Sequence, residues 1–422
     1  MVRTEPYSEQ IDFKDLASKD YRLGNLQSYD GYTDFTDPRV YQAVTKAVLR
    51  VDFGLEIELP YDRLCPPIPN RFNYVVWIQA LLDQTGPNYG DEADANREIV
   101  GLDIGTGASA IYALLILASR PNWRMCLTDI DKKSFNYAGR NLALNNLLSR
   151  STLLQTTNIP SLIPLHGLGV EKLDFTICNP PFFTSEEDMH KSMQGEGKVY
   201  RPHAGCSGTP TEMVCPGGDL GFVTQIIDES LVLRERVRWY SSMLGKLESA
   251  HKVITILRGH GIENYAVGVI DTGGRTKRWI VAWSFGVYRP RNDIARPDRF
   301  AHEYLPYPTL YKIPLAPTQD PETVTNTIST QLSSLDLTFD TSTGVGETPR
   351  DVWSRKYRFL KRKAHEAGEK LMMTGDVVLA FRVQVKEEPK EVTIDWLRGS
   401  DRHIWESFCG FLHRVTREVN WF

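Results

Sequence analysis

Asp174-Phe175-Thr176-Ile177-Cys178-Asn179-Pro180-Pro181-Phe182-Phe183 begins as an apolar run and ends in an amide, two prolines and two aromatics. The run Phe175 to Cys178 has the length and β-branched content of a short buried strand. The two prolines end it, because neither can donate to a ladder and each fixes its own φ. Asn179 is therefore expected at a strand's carboxyl end, on stiff backbone, beside a ring. In open α/β sheets that edge is where ligands bind. Taken alone, the stretch fits equally well a strand, a proline turn and core phenylalanines.

The chemistry such a corner suits is alkylation of a planar amine. An exocyclic amino nitrogen on an aromatic ring has a delocalised lone pair and is a poor nucleophile. The Asn179 side-chain carbonyl and the Pro180 backbone carbonyl can accept its two hydrogens. That would hold the nitrogen and localise its lone pair as the new bond forms. Phe182 supplies a ring for stacking, worth roughly 1–3 kcal/mol per base.

Upstream, Ile99 to Ile104 reads as a buried strand. Gly105-Thr106-Gly107-Ala108-Ser109-Ala110 follows and runs into the apolar helix Ile111 to Ala118. This fits the glycine turn that brings backbone close to a ligand at a helix N-terminus. The next strand, Met125 to Leu127, ends in Thr128-Asp129-Ile130-Asp131. An acid there can accept both ribose hydroxyls of a nucleoside cofactor. Either Asp129 or Asp131 could serve. Asp103 would sit near the cofactor's amino-acid end, or cap the glycine turn. A nicotinamide dinucleotide would use the same glycines and acid but leaves Asn179 to Phe182 without a role. S-adenosylmethionine is preferred, since it gives turn, acid and amine clamp one common purpose.

The chain has 422 residues and a formal net charge of −4, with 41% hydrophobic and 24% charged residues. Such a length suits two to three domains with a sizeable core. No run of eighteen apolar residues suggests a membrane span, and the N-terminus shows no signal-peptide pattern. The six cysteines lie far apart with no Cys-x-x-Cys, which predicts reduced intracellular thiols and no metal site. The mild acidity means that any nucleic-acid binding must come from local basic patches.

Residues 1–95 read as a helical module, with one helix opening at Asp37-Pro38 and another at Asn70. Arg71 and Asn73 fall in the latter's first turn, where a positive helix end suits an anion. Residues 96–285 are expected to form a Rossmann-like domain. Within it, Thr184 to Gly218 reads as a polar lid carrying Lys191, Lys198, Arg201 and His203. Asp219 to Leu244 reads as one helix with Gly245 as its stop. Tyr265 to Ile270 and Trp279 to Phe285 read as a hairpin with Arg275, Lys277 and Arg278 at its tip. Residues 286–321 hold seven prolines and read as a linker. Residues 322–422 are expected to be a small α+β unit. Its helix from Trp353 to Leu371 carries Arg355, Lys356, Arg358, Lys361, Arg362 and Lys363, a footprint suited to phosphate. Together with Phe183 and Arg201, these cations and those of the hairpin tip are the expected RNA contacts.

These motifs resemble the RNA N6-adenosine methyltransferases that modify U6 small nuclear RNA, the methyltransferase-like 16 type, whose bacterial relatives methylate ribosomal RNA. The likeness spans roughly residues 30–285. It rests on Arg71-Phe72-Asn73-Tyr74, Leu102 to Ser109, Phe135-Asn136-Tyr137-Ala138, Cys178 to Phe183 and Arg238 to Lys246. It implies a class I methyltransferase sheet with S-adenosylmethionine as cofactor, U6 RNA as partner and the nucleus as location. It implies cofactor contacts at Arg71, Gly105, Ser109 and Asp129, alongside Asp103, Gly107 and Asn179. It implies acceptor contacts at Asn179 and Pro180, with Pro181 and Phe182 completing the catalytic tetrapeptide. The family usually has Glu at the position of Asp129, and one more cofactor contact falls after Leu154. A weaker likeness of the last hundred residues to a C-terminal RNA-binding domain favours the U6 type. The rival functions are a glutamine N5-methyltransferase, which carries a similar tetrapeptide, and a non-catalytic RNA-binding protein.

Overall fold

The computed structural model describes residues 2–26, 38–90, 92–157, 160–194, 208–274, 276–368 and 375–418. It divides into two compact units. The first is Met1–Asp83, Glu92–Gly286 and Pro297–Pro306; the second is Gln84–Asp91, Val287–Arg296 and Tyr307–Phe422. This differs from the expected division at the proline-rich stretch. Residues 286–321 are not a free linker, because Leu310–Pro314 is a strand of the second unit's sheet.

In chain order the first unit's helices are α1 (Phe13–Lys19), α2 (Tyr21–Gly24), α3 (Pro38–Val48) and α4 (Ile68–Gln84). A π-helical turn, Leu49–Phe53, ends α3, and Gly54 stops it at φ 66°. The sheet then forms from β1 (Ile99–Ile104), β2 (Trp123–Asp129), β3 (Ser151–Gln155), β4 (Leu173–Cys178), β5 (Val237–Leu244), β6 (Tyr265–Ile270) and β7 (Arg278–Trp283). The intervening helices are α5 (Ile111–Ser119), α6 (Lys132–Leu144), α7 (Glu186–Gln194), α8 (Pro210–Met213), α9 (Gly218–Leu233) and α10 (Leu247–Gly259). Strand order is β3-β2-β1-β4-β5-β7-β6, with only β7 antiparallel to its neighbours. The order reverses between β1 and β4. That reversal opens a crevice at their carboxyl ends, so the glycine turn after β1 and Asn179 after β4 emerge side by side.

Gly101 shows how tightly these two strands meet. A Cβ there would lie 2.2 Å from Phe175 Cζ and 2.9 Å from Met125 Sδ. The core around them is apolar, with Leu102, Cys178, Val223, Tyr240 and Trp283 all buried.

The expected helix from Asp219 to Leu244 is half wrong. Helix α9 stops at Leu233, where Arg234 takes φ 46°, and Val237–Leu244 is a buried strand. It pairs parallel with β4 (Phe175↔Trp239) and antiparallel with β7 (Tyr240↔Trp283). A short apolar run does not distinguish strand from helix by period; its aromatic and β-branched content was the better guide. The polar stretch after Phe183 is likewise not all loop, since it contains α7 and α8. Lys191 pairs with Glu187 at 2.6 Å within α7. Asp37, Lys198, Arg201, His203 and Arg275 lie outside the described residues.

In the second unit, α11 (Asn292–Ala295) precedes β8 (Leu310–Pro314) and α12 (Pro321–Ser333). Then come β9 (Thr338–Asp340), β10 (Val345–Thr348), α13 (Arg355–Glu366), β11 (Leu379–Glu387), β12 (Lys390–Arg398) and α14 (Arg402–Glu418). The antiparallel sheet runs β8-β12-β11-β10-β9 over a core that includes Val324, Trp353, Phe381, Trp396 and Phe408. The expected pair of strands is β11 and β12. The strand β10 was not foreseen.

Candidate functional site

The crevice at the switch of strand order holds a cavity of about 610 Å³. Its lining joins Arg71 of α4, the Gly105-Thr106-Gly107 turn, Ser109, Asp129 of β2 and Asn179 after β4. Six of the seven expected cofactor residues thus meet in one place. The seventh, Asp103, is not on the lining.

The turn's geometry explains its glycines. Gly105 and Gly107 have φ of 68° and 65°, a region that L side chains enter at a cost. Thr106 N donates to Thr128 O at 2.9 Å, and Gly107 N donates to Asp129 Oδ2 at 2.8 Å. Asp129 Oδ1 accepts Asp131 N at 2.8 Å. Burial pushes the Asp129 carboxyl up to about 6, against the pull of those two N–H donors. Asp131 serves differently. Its Oδ1 caps α6 by accepting Ser134 N at 2.7 Å and takes Arg63 Nη2 at 3.0 Å.

Asp103 is 1% exposed. Its Oδ2 accepts Thr106 Oγ1 at 2.7 Å, so it does brace the turn, while Oδ1 has no hydrogen-bond partner. Burial pushes its carboxyl up to about 7, which the Thr106 hydroxyl and Arg71 oppose and Asp129 reinforces. Arg71 is itself buried, with its guanidinium 5.8 Å from the Tyr112 ring centroid and Nη1 3.3 Å from Met243 Sδ. The Asn73 amide clamps Tyr7, accepting from Tyr7 N at 2.8 Å and donating to Tyr7 O at 2.7 Å.

Asn179 Oδ1 is buried and has no hydrogen-bond partner. Pro181 lines the same cavity; Pro180 is buried, and neither Pro180 nor Phe182 is on the lining. The Phe182 ring packs on Gly245, where a Cβ would lie 2.8 Å from Cδ1, and the Arg278 guanidinium sits 5.5 Å from its centroid. Phe183 is tied by backbone, donating to Met213 O at 2.9 Å and accepting from Cys215 N at 3.0 Å. Lys277 pairs with Asp271 at 3.0 Å. In the second unit Arg355, Lys356, Arg358, Lys361, Arg362 and Lys363 are all exposed, and Lys361 pairs with Asp336 at 2.5 Å. No cluster of three or more His, Cys, Asp or Glu residues suits a metal among the described residues.

Sequence reasoning missed several lining residues. Thr156 and Thr157 follow β3, near the further cofactor contact expected after Leu154, and Ser161 and Leu162 also line the cavity. Glu212 also lines the cavity. Its carboxylate accepts Thr209 N at 2.9 Å and Leu64 N at 3.3 Å, and burial raises its pKa. The Thr209-x-x-Glu212 spacing is a capping-box signature, which marks the start of α8 and not the cavity.

The pattern of an RNA methyltransferase family matches residues 4–286. The chain belongs to that family. It is 33% identical over 395 residues to the U6 small nuclear RNA (adenine-(43)-N(6))-methyltransferase of Schizosaccharomyces pombe, covering 92% of this chain and 96% of that protein. It is 38% identical over 282 residues to the RNA N(6)-adenosine-methyltransferase METTL16 of Homo sapiens, covering 65% of this chain and 48% of that one. The chain thus spans about half the length of that animal relative. Among solved structures, the human METTL16 catalytic domain in complex with the MAT2A 3′UTR hairpin 6 is 34% identical. Its TM-score is 0.57, over 67% of this chain and 96% of that one. The N-terminal domain of human METTL16 in complex with SAH is 33% identical with a TM-score of 0.54, over 68% and 98%.

Proposed function

We propose that this RNA methyltransferase transfers a methyl group from S-adenosylmethionine to N6 of an adenosine in U6 small nuclear RNA, and that it works in the nucleus. One observation carries the site assignment: Asn179 Oδ1 is a buried acceptor without a donor, on the same cavity as the glycine turn. Leaving such an acceptor unmade costs about 1–3 kcal/mol, which an incoming amine hydrogen would recover. The pairing of function to relatives of both U6 and adenosine-N6 type supports the same reading.

The cavity fits the cofactor. Its size lies inside the usual range for small-molecule sites, roughly 300–1,000 Å³, and acids, glycine backbone and a buried arginine line or back it. Asp129 is the ribose acceptor in this reading, because Asp131 is committed to capping α6 and to Arg63. Arg71, Ser109 and the Gly105–Gly107 turn take the remaining polar groups. S-adenosylmethionine supplies an electrophilic methyl on a sulfonium sulfur.

The protein's own task is alignment. Asn179 Oδ1 and the Pro180 carbonyl accept the two amine hydrogens and turn the nitrogen lone pair toward the glycine-turn side. Phe182 stacks on the base, which must first leave its own stack. The amine sheds its proton to water only after methylation, so no strong base is needed. The exposed cations of α13 bind RNA phosphates.

Asn179→Ala should abolish turnover while largely sparing RNA binding, because phosphate contacts supply most of that affinity. Near-normal kcat in that variant would overturn the assignment.

A further inference from the structure

Helix α13 presents a feature that phosphate binding does not explain. Phe359 is 55% exposed and Leu360 41%, in the middle of a helix whose other solvent-facing side chains are mostly cations. Phe359 is the one phenylalanine classed as exposed among the described residues. At about 100° per residue, Phe359 lies about 160° around the helix from Tyr357. Tyr357 is the buried anchor: it packs in the core and donates to Asp336 Oδ2 at 2.8 Å. Lys361 reaches the same carboxylate at 2.5 Å, which fixes that face of the helix inward. The helix thus points Phe359 straight out, with Arg355 one turn before it and Arg362 and Lys363 one turn after. The Arg362 guanidinium sits 5.6 Å from the Phe359 centroid, so one side of the ring already carries a cation.

An exposed aromatic set among cations is the arrangement that binds unpaired nucleic acid. Cations hold the backbone, and the ring takes the face of a base. A protein partner would favour a broader apolar surface with fewer charges at its centre. We propose that α13 binds a single-stranded segment of RNA, with Phe359 as a stacking platform for one base. Leu360 extends that platform, and Arg355, Arg362 and Lys363 grip the flanking phosphates. This rests on the reading above that the α13 cations bind RNA. It adds that the bound segment is unpaired and is read through a base face.

The test uses the full chain and three fluorescent probes: a hairpin RNA with a single-stranded flank, the same hairpin with an abasic flank, and the hairpin alone. Affinity is measured across a range of salt. Phe359→Ala should weaken binding of the flanked RNA about fivefold or more, leave the abasic and bare hairpins unaffected, and keep the salt slope. Phe359→Tyr, which keeps the ring, should bind as the parent does. Arg355→Ala with Arg362→Ala should weaken both flanked probes and lower the salt slope by about 0.7 per lost phosphate contact. Thermal unfolding should not move, since the changed side chains face solvent. If the arginine variant weakens binding and Phe359→Ala does not, the stacking inference fails while the phosphate reading stands. If none of the variants changes any affinity, both fail. RNA affinity unchanged alongside loss of a co-purifying protein would also overturn the proposal, in favour of a protein surface.

Discussion

Gly245→Ala tests whether the Phe182 ring must stand where it does. Gly245 follows β5, and an added Cβ there would lie 2.8 Å from Phe182 Cδ1 and 3.1 Å from Cε1. Carbon atoms rest about 3.5–4.0 Å apart, so the ring must retreat by about 0.7–1.2 Å. The backbone at Gly245 is poorly placed to yield instead. Its N–H donates to Asp219 Oδ2 at 2.8 Å, while Asp219 Oδ1 holds Ser249 Oγ at 2.9 Å and Leu220 N at 2.8 Å. The Phe182 backbone is also closely packed, as a Cβ on Gly218 would lie 3.0 Å from Phe182 O. The ring is only half-buried, so it can swing outward with a stability loss at the low end of overpacking, about 1 kcal/mol. A misplacement of about 1 Å in a positioning group can lower rate on the order of 100-fold. The assay is single-turnover methylation of a hairpin RNA at saturating cofactor, with calorimetry of S-adenosylhomocysteine alongside. Gly245 is not on the cavity lining, so cofactor affinity should hold. A wild-type rate in a folded Gly245→Ala protein would refute the idea that the ring's position matters to the transfer.

Gly101→Ala should destabilise the first unit by about 3 kcal/mol or more, read as a lower Tm, because the methyl would meet the Phe175 ring inside the sheet. Asp219→Ala should destabilise as well, by about 1–3 kcal/mol, since the buried Ser249 hydroxyl and the part-buried Gly245 and Leu220 N–H groups lose their acceptor; chemical denaturation would measure it. The buried carboxyls give a pH signature. Asp129 and Asp103 stand at about 6 and about 7 in the folded protein, above their ordinary 3.8. Both are raised, so their contribution to stability is complete below the ordinary value and is lost as pH rises through about 6 to 7. The cofactor-free protein should therefore lose Tm across that window, and Asp129→Asn should flatten the change. Cofactor affinity should run the opposite way, because a ribose hydroxyl donates best to an ionised carboxylate.

What the sequence made legible is local and backbone-driven. A glycine turn after an apolar strand, an acid at the next strand's end and Asn-Pro-Pro-Phe each demand a particular backbone at fixed spacing. Their convergence followed once the sheet placed β1 and β4 side by side. What stayed hidden depended on partners distant in sequence. Strand β5 looked like a continuation of α9 because Val237 falls in helical register with Phe222 and Ile226 and no glycine or proline intervenes before Gly245. Only its places between β4 and β7 make it a strand, and only Arg234 at φ 46° marks the break. The proline-rich stretch looked like a linker because prolines remove ladder donors, yet β8 pairs at the sheet's edge with β12, where a missing donor is tolerated. Cutting at residue 322 would therefore strand β8 without its partner, and point substitutions on α13 are the cleaner probe of the second unit. The two acids that organise the site's surroundings were hidden for a further reason. Asp219 and Glu212 sit in the first turns of α9 and α8, where an acid reads as a favourable partner of the helix end. Their carboxylates in fact reach other segments: Asp219 holds Gly245, and Glu212 holds Leu64. A residue type explained by its own helix gives no hint that it also fastens a distant loop, so the supports of the site were the part least visible in advance.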